Sequence, residues 1–309
     1  MPWGHKIFLY MDDKYLQKTI AKSVACTGVG VHSGKSVHLR INPAPVNYGI
    51  KFIRTDLPDR PCIAARFNKV VDTSQATVIG SGDFIVSTPE HLLASLAGME
   101  IDNAQVEVDA YELPIMDGSA GPFVALIKSA GVQIQDSPRC YFQIIKPIEL
   151  NEDKKFVGIY PAPYFKVTCT IEFNHPLINT QTHSIVIDAD SFETEIASAR
   201  TFGFWYEVDY MRKYGLAQGA SLDNTVVVDR EGVMNEDGLR YPDEFVRHKL
   251  LDCIGDFSLL GLPIMGHVVA KRSGHSFNHA FLQRFFSKKD SWQTATAEEG
   301  LGKGPAHTK

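Results

Sequence analysis

The sequence predicts an α+β protein of two similar domains sharing one cleft, and three observations carry that reading. The chain has 309 residues, 44% hydrophobic and 22% charged, enough for two cores of ordinary size. Segments with strand alternation and segments with helical periodicity occur in both halves. The order after His91 (helix, strand, loop, helix) recurs after His248. Such an echo suggests a weak internal duplication, with each half donating one histidine to the shared cleft.

Composition narrows the function classes. The net charge of −5 is spread without long runs, which argues against a nucleic-acid binder. Five cysteines (Cys26, Cys62, Cys140, Cys169, Cys253) include no CxxC pair, and an odd count inside apolar runs suggests reduced, buried thiols. No apolar run reaches transmembrane length, and the N-terminus lacks the apolar core of a signal peptide. The expectation is a cytoplasmic monomer with no membrane segment.

The first seventeen residues carry no clear period and read as a loosely attached extension. Strands follow at TIAKSVACTGVGV, KSVHLRINPA and YGIKFIRTDL. The glycines of TGVGVHSG invite a phosphate-loop reading, but no helix pattern follows them, so His32 reads as a turn residue. Short strands from 62 to 86 are consistent with a small sheet inserted in the first domain. In VSTPEHLLASLAGMEIDN, Thr88 can cap a helix, Pro89 fits its first position and Gly98 ends it. Glu90 and His91 then occupy the first turn, about 100° apart, so the imidazole could bind a metal while the carboxylate reaches a water on it. An ordinary capped helix with an acidic first turn explains the same residues.

The first domain is expected over 18–135, with a linker at 136–139 and a second domain over 139–286. Strands are expected at CYFQIIKPIEL, FVGIYPA and FKVTCTIEFN, a helix at SFETEIASA, and an extra helix, turn and strand over about 204–236. Residues 239–260 read as one helix of about five turns, with Pro242 at its first position and Gly261 at its stop. His248, Lys249, Asp252 and Asp256 fall within about a 100° sector of it. Seven apolar residues fill most of the rest. Buried ionisable groups cost several kcal/mol each unless paired or metal-bound. His248 and Asp252, one turn apart, are spaced to grip one zinc ion; a buried salt-bridge cluster is the alternative. In KRSGHSFN, Gly274 lets the backbone present His275, which Asp256 could hold as an imidazolium. Residues 287–309 have no periodicity and are expected to be disordered.

The motifs TGVGVHSG, STPEHLLASLAGMEIDN, ELPIMDGSAGPF, EFNHP, ARTFGF, NEDGLRYPDEFVRHKLLDCIGD and KRSGHSFN occur together and in order. In these the chain resembles the UDP-3-O-acyl-N-acetylglucosamine deacetylases, zinc amidases that commit bacteria to lipid A synthesis. The likeness runs from about 19 to 286. It implies two domains, each a sheet layered with helices and each carrying an insert, with the active site at their interface. It also implies that the second insert forms an apolar passage for the substrate's acyl chain. The motifs carry zinc ligation over to His91, His248 and Asp252 and the general base to Glu90. His275, Lys249, Thr201 and Asp256 carry over as assisting residues, with Lys249 expected to meet a diphosphate or the oxyanion. Ferrous iron would also suit the donor set. The family usually has Leu-Asn-Asn where this chain has Phe277, Asn278 and His279, a stretch expected to lie beyond the site. The partner implied is an acylated UDP-sugar, hydrolysed to acetate and the free amine. A non-catalytic sugar-nucleotide binder and an acyl-binding scaffold are the rivals, and neither needs Glu90.

Overall fold

A computed structural model describes residues 12–296 of the chain. The first half builds a five-stranded sheet in the order β2 (Val24–Val29), β3 (Ser36–Pro43), β9 (Ala104–Val108), β4 (Ile50–Arg54), β5 (Cys62–Ala64). Alternation sets its faces: Val37, Leu39 and Ile41 of β3 are buried while Ser36, His38 and Arg40 are exposed, the two-residue period of a pleated strand. All neighbours run antiparallel except β9 and β4.

The second half repeats this succession. Strands β12 (Ile148–Glu152), β13 (Lys155–Tyr160), β18 (Ile264–Lys271), β14 (Phe165–Glu172) and β15 (Thr180–Val186) lie side by side, and only β18 and β14 are parallel. Strand β11 (Cys140–Ile144) pairs with the start of β18 and on its other edge with β19 (Trp292–Thr296). The two halves thus share strand order and direction.

Helix α1 (Glu90–Gly98) packs against α5 (Glu244–Ser258), and this contact joins the two halves. Helix α2 (Gly121–Ala130) lies on β2; α6 (His275–Ser287) lies on β12 and β13; α5 also covers β14 and β15. A Cβ on Gly255 of α5 would lie 2.2 Å from the Glu90 carbonyl oxygen, so a glycine is what lets the helices approach this closely. A three-stranded sheet of β6 (Val70–Asp72), β7 (Val78–Ser81) and β8 (Phe84–Ser87) precedes α1. A short helix, α3 (Ala189–Ser191), continues into a π-helical turn over Phe192–Ile196, where SFETEIASA suggested a regular helix. Helix α4 (Trp205–Lys213) follows β16 (Phe202–Phe204), which pairs in parallel with β17 (Val226–Val228).

Several boundaries differ from the sequence reading. The strand at Cys62–Ala64 belongs to the five-stranded sheet, and the small sheet begins only at Val70. The extension is not loose throughout: Leu16–Ile20 is strand β1, antiparallel to β10 (Val132–Pro138), which takes in most of the expected linker. Nor is 287–309 disordered as a whole, because β19 pairs along all of β11 and Trp292 stacks on Phe285 with ring centroids 5.3 Å apart. Residues 1–11 and 297–309 lie outside the described part. Helix α5 starts at Glu244, two residues after Pro242, because the Glu244 carboxylate receives hydrogen bonds from the Arg200 and Arg240 backbone N–H groups and holds the preceding turn. The cysteines are free, but only Cys169 and Cys253 are buried; Cys62 and Cys140 are exposed.

Candidate active site

Helix α1 brings Glu90 and His91 to the joint between the halves, and α5 meets them with His248, Lys249, Asp252 and Asp256. The start of α1 does not follow the expected cap. Thr88 makes no capping hydrogen bond; its φ is +58° and Pro89 takes the cap position. A β-branched residue in the left-handed region is strained, and such strain gathers at functional sites. The Thr88 N–H donates to the Thr77 carbonyl at 3.0 Å, which ties β7 to the entry of α1.

One donor atom from each of His91, His248 and Asp252 falls within 4.8 Å of the others, and all three side chains are buried. Asp252 Oδ1 lies 3.6 Å from His91 Nε2 and 3.4 Å from His248 Nε2. Ligands about 2.0–2.2 Å from a tetrahedral zinc would stand at such separations. Ring and carboxylate are also oriented from behind. His248 Nδ1 donates to the Ala199 carbonyl at 3.0 Å, leaving Nε2 as the free lone pair. Burial pushes the His248 imidazole down to about 3, so it is neutral as a metal ligand must be. Lys249 Nζ donates to Asp252 Oδ2 at 2.7 Å, which leaves Oδ1 for a metal. Burial opposes the Asp252 carboxylate, but Lys249, His248, His91 and His275 together outweigh it and hold the group well below the usual carboxylate range. This donor set fits a divalent ion.

Lys249 therefore has a partner within the site, and it also lines the cavity that opens over these groups. Its ammonium also lies 5.5 Å from the Phe202 ring centre.

Glu90 is 3% exposed, and burial raises its carboxyl to about 7 in the metal-free protein. One of its oxygens, Oε2, has no hydrogen-bond partner among the described residues. The other stands 3.8 Å from His275 Nε2. His275 Nδ1 donates to Asp256 Oδ2 at 2.9 Å. Burial would lower this imidazole, yet Asp256, with help from Glu90 and Asp252, outweighs it and raises it to about 10. The pair of a poised carboxyl and a lasting imidazolium suits general acid–base chemistry.

A cavity of about 370 Å³ opens over these groups. Glu90, His91, Thr201, His248, Lys249, Asp252 and His275 line it, as do the apolar Phe204, Val208, Met211, Leu222 and Val227. Thr201 is fixed through its backbone: its N–H donates to Gly118 O and its carbonyl accepts from the Val226 N–H, each at 2.8 Å. Asp256 is not a wall residue but stands behind His275. His32 lines the same cavity, yet it is not among the three clustered donors.

Sequence reasoning missed two groups. Thr77 Oγ1 donates to Asp256 Oδ1 at 2.6 Å, and Asn278 Nδ2 donates to Asp256 Oδ2 at 2.8 Å. Asn278 was expected to lie beyond the site; it is part of it. Its signal was legible, because it stands one helical turn after His275. Thr77 gives no local signal, being 179 positions from its partner.

The family model for UDP-3-O-acyl N-acetylglycosamine deacetylase matches residues 17–287. The UDP-3-O-acyl-N-acetylglucosamine deacetylase of Myxococcus xanthus is 46% identical over 94% of this chain and 94% of its own length. Those of Teredinibacter turnerae and Pseudomonas entomophila are 47% and 46% identical, each over 92% of this chain and 94% of theirs.

Proposed function

The chain belongs to the UDP-3-O-acyl N-acetylglycosamine deacetylase family, and from that premise we propose how its residues divide the work. The reaction is hydrolysis of the N-acetyl group of an acylated UDP-N-acetylglucosamine, the committed step of lipid A biosynthesis. The observation that carries the assignment of roles is the buried cluster of three donors beside Glu90.

We assign zinc to His91, His248 and Asp252. When bound there, the ion would polarise the acetamide carbonyl and lower the pKa of a coordinated water to about 7. Glu90 accepts the proton of the attacking water, a task suited to a buried carboxylate raised to about 7. The Thr201 hydroxyl donates to the oxyanion of the tetrahedral intermediate. His275, kept protonated by Asp256, gives its Nε2 proton to the departing amine. Lys249 acts through Asp252, fixing the carboxylate that holds the ion. The apolar wall from Phe204 to Val227 takes the acyl chain.

In this reading 18–135 and 139–286 are two domains that meet at the site. The three-stranded sheet is the insert of the first, and the α4–β17 segment the insert of the second. One chain supplies every group named, so a cytoplasmic monomer suffices. No helix among the described residues is long and apolar enough to cross a membrane.

The test is acetate release from UDP-3-O-(3-hydroxyacyl)-N-acetylglucosamine before and after chelation, with zinc added back. Loss on chelation and return with zinc support the assignment. Undiminished turnover in the chelated protein contradicts it.

A further inference from the structure

A second cavity, of about 460 Å³, lies behind the catalytic joint. The same two helices wall it: Leu93 and Leu96 of α1 and Ile254 and Phe257 of α5 face it, while Glu90, His91, His248 and Asp252 of those helices face the catalytic cavity. Its volume is in the range of small-molecule sites, about 300–1,000 Å³, and most of its wall is apolar.

Its charged groups are unequally satisfied. Arg139 Nε donates to Asp102 at 2.8 Å and lies 3.3 Å from Glu100, so that cation is paired. At the same end Gln17, Asn47 and Asn103 bond to one another. Arg66 differs. Its guanidinium is half-buried, with a single hydrogen bond of 3.4 Å to the Leu260 carbonyl and no carboxylate partner among the described residues. A desolvated cation without an anion is costly, and burial here depresses even the arginine.

The fold nevertheless makes a seat for it. The Phe67 N–H donates to the Leu259 carbonyl at 2.9 Å, which stitches the segment beside Arg66 to the end of α5. Gly261 has φ +89°, and a Cβ there would fall 0.8 Å from Arg66 Nη1. Gly49 has φ +69°, and its Cβ would lie 3.7 Å from Nη2. Gly261 thus leaves room for the guanidinium at the cavity wall, and Gly49 borders it in ordinary contact.

We propose that this cavity binds one amphipathic carboxylate, its head paired with Arg66 and its alkyl chain against Leu93, Leu96, Ile254 and Phe257. A guanidinium forks onto a carboxylate through two parallel N–H donors, and the apolar wall selects an alkyl tail over a second polar group.

The probe is dodecanoate, titrated calorimetrically into the zinc-loaded full chain below its micellar concentration. Saturable binding of one molecule is expected, weakened about ten-fold or more in Arg66→Met, the scale of a lost charge-assisted hydrogen bond. Leu222→Trp, which crowds the catalytic cavity, should leave that affinity in place. A neutral or cationic head on the same tail (dodecanol, dodecyltrimethylammonium) should bind the parent at least ten-fold more weakly. The zinc and apolar wall of the catalytic cavity would also favour a carboxylate. The three heads are therefore compared in Leu222→Trp as well, where the same preference for dodecanoate is expected and its loss would overturn the proposal. Equal affinity for the three heads, or binding lost in Leu222→Trp and kept in Arg66→Met, overturns the proposal.

Discussion

His275 Nδ1 lies 2.9 Å from Asp256 Oδ2, and that carboxylate is held in turn by Thr77 Oγ1 at 2.6 Å and Asn278 Nδ2 at 2.8 Å. The arrangement keeps a buried imidazole charged. Burial works against the proton, but the charge and hydrogen bond of Asp256, with the Glu90 and Asp252 charges, outweigh it and raise His275 from 6.5 to about 10. A histidine whose folded value is raised stabilises the fold fully below its unfolded value, and that contribution is lost as pH rises through about 10.

Asp256→Asn should reverse this balance. With the Asp256 charge removed, burial is opposed only by the Glu90 and Asp252 charges, so His275 in the metal-free protein should titrate below about 10, and turnover at neutral pH should fall as the imidazolium is weakened. Histidine-resolved NMR titration together with the pH–rate profile measures both. An unmoved His275 would assign its proton affinity to another neighbour, with Glu90 at 3.8 Å the next in line.

The ligand assignment makes a sharp contrast between histidines. His91→Ala, His248→Ala and Asp252→Ala should each lose zinc, whereas His32→Ala should retain it although His32 lines the same cavity. Metal analysis of the purified variants distinguishes them. Zinc lost from the His32 variant and kept by the His248 variant would move the centre elsewhere.

Gly255→Ala tests the joint itself. The new methyl would meet the Glu90 carbonyl oxygen at 2.2 Å, so α1 and α5 must part. Overpacking of this kind costs about 1–3 kcal/mol. Thermal unfolding should register that loss, and turnover should drop because Glu90 and His91 shift against His248 and Asp252. Unchanged stability and unchanged turnover would show that the two helices yield without consequence.

Much of this arrangement was readable from short-range pattern. His248, Lys249, Asp252 and Asp256 share one sector of an apolar helix, and Glu90 and His91 open another; helical periodicity alone places both sets. Strand alternation and the repeated order of elements indicated two related halves. What escaped depends on partners distant in sequence. Strand β10 is a polar, largely exposed segment that becomes a strand because β1 pairs with it, and β19 exists because β11 lies beside it. The hydrogen bond from Lys249 to Asp252 spans only three residues, yet sequence shows only that the two can meet, since an ammonium in such a cluster has several anions to choose from. Thr77 acts on Asp256 across 179 positions, where no local rule reaches.

The apolar residues lining the catalytic cavity give a further expectation. Each buried methylene is worth about 0.8 kcal/mol, so removing four from the acyl chain should cost about 3 kcal/mol in kcat/KM, roughly 100-fold. Equal kcat/KM for acylated and unacylated UDP-N-acetylglucosamine would separate the wall of Phe204, Val208, Met211, Leu222 and Val227 from substrate binding.

The central claim is that Glu90 serves as the base without holding the metal. Glu90→Gln keeps the size and hydrogen-bonding capacity of the side chain but cannot take a proton. The decisive measurement is acetate release by this variant with its zinc content determined on the same sample. Turnover is expected to fall about 100- to 10,000-fold, the usual contribution of a positioned general base, with zinc at the parental level. Full activity in the zinc-loaded variant, or loss of the zinc along with the activity, would contradict the account.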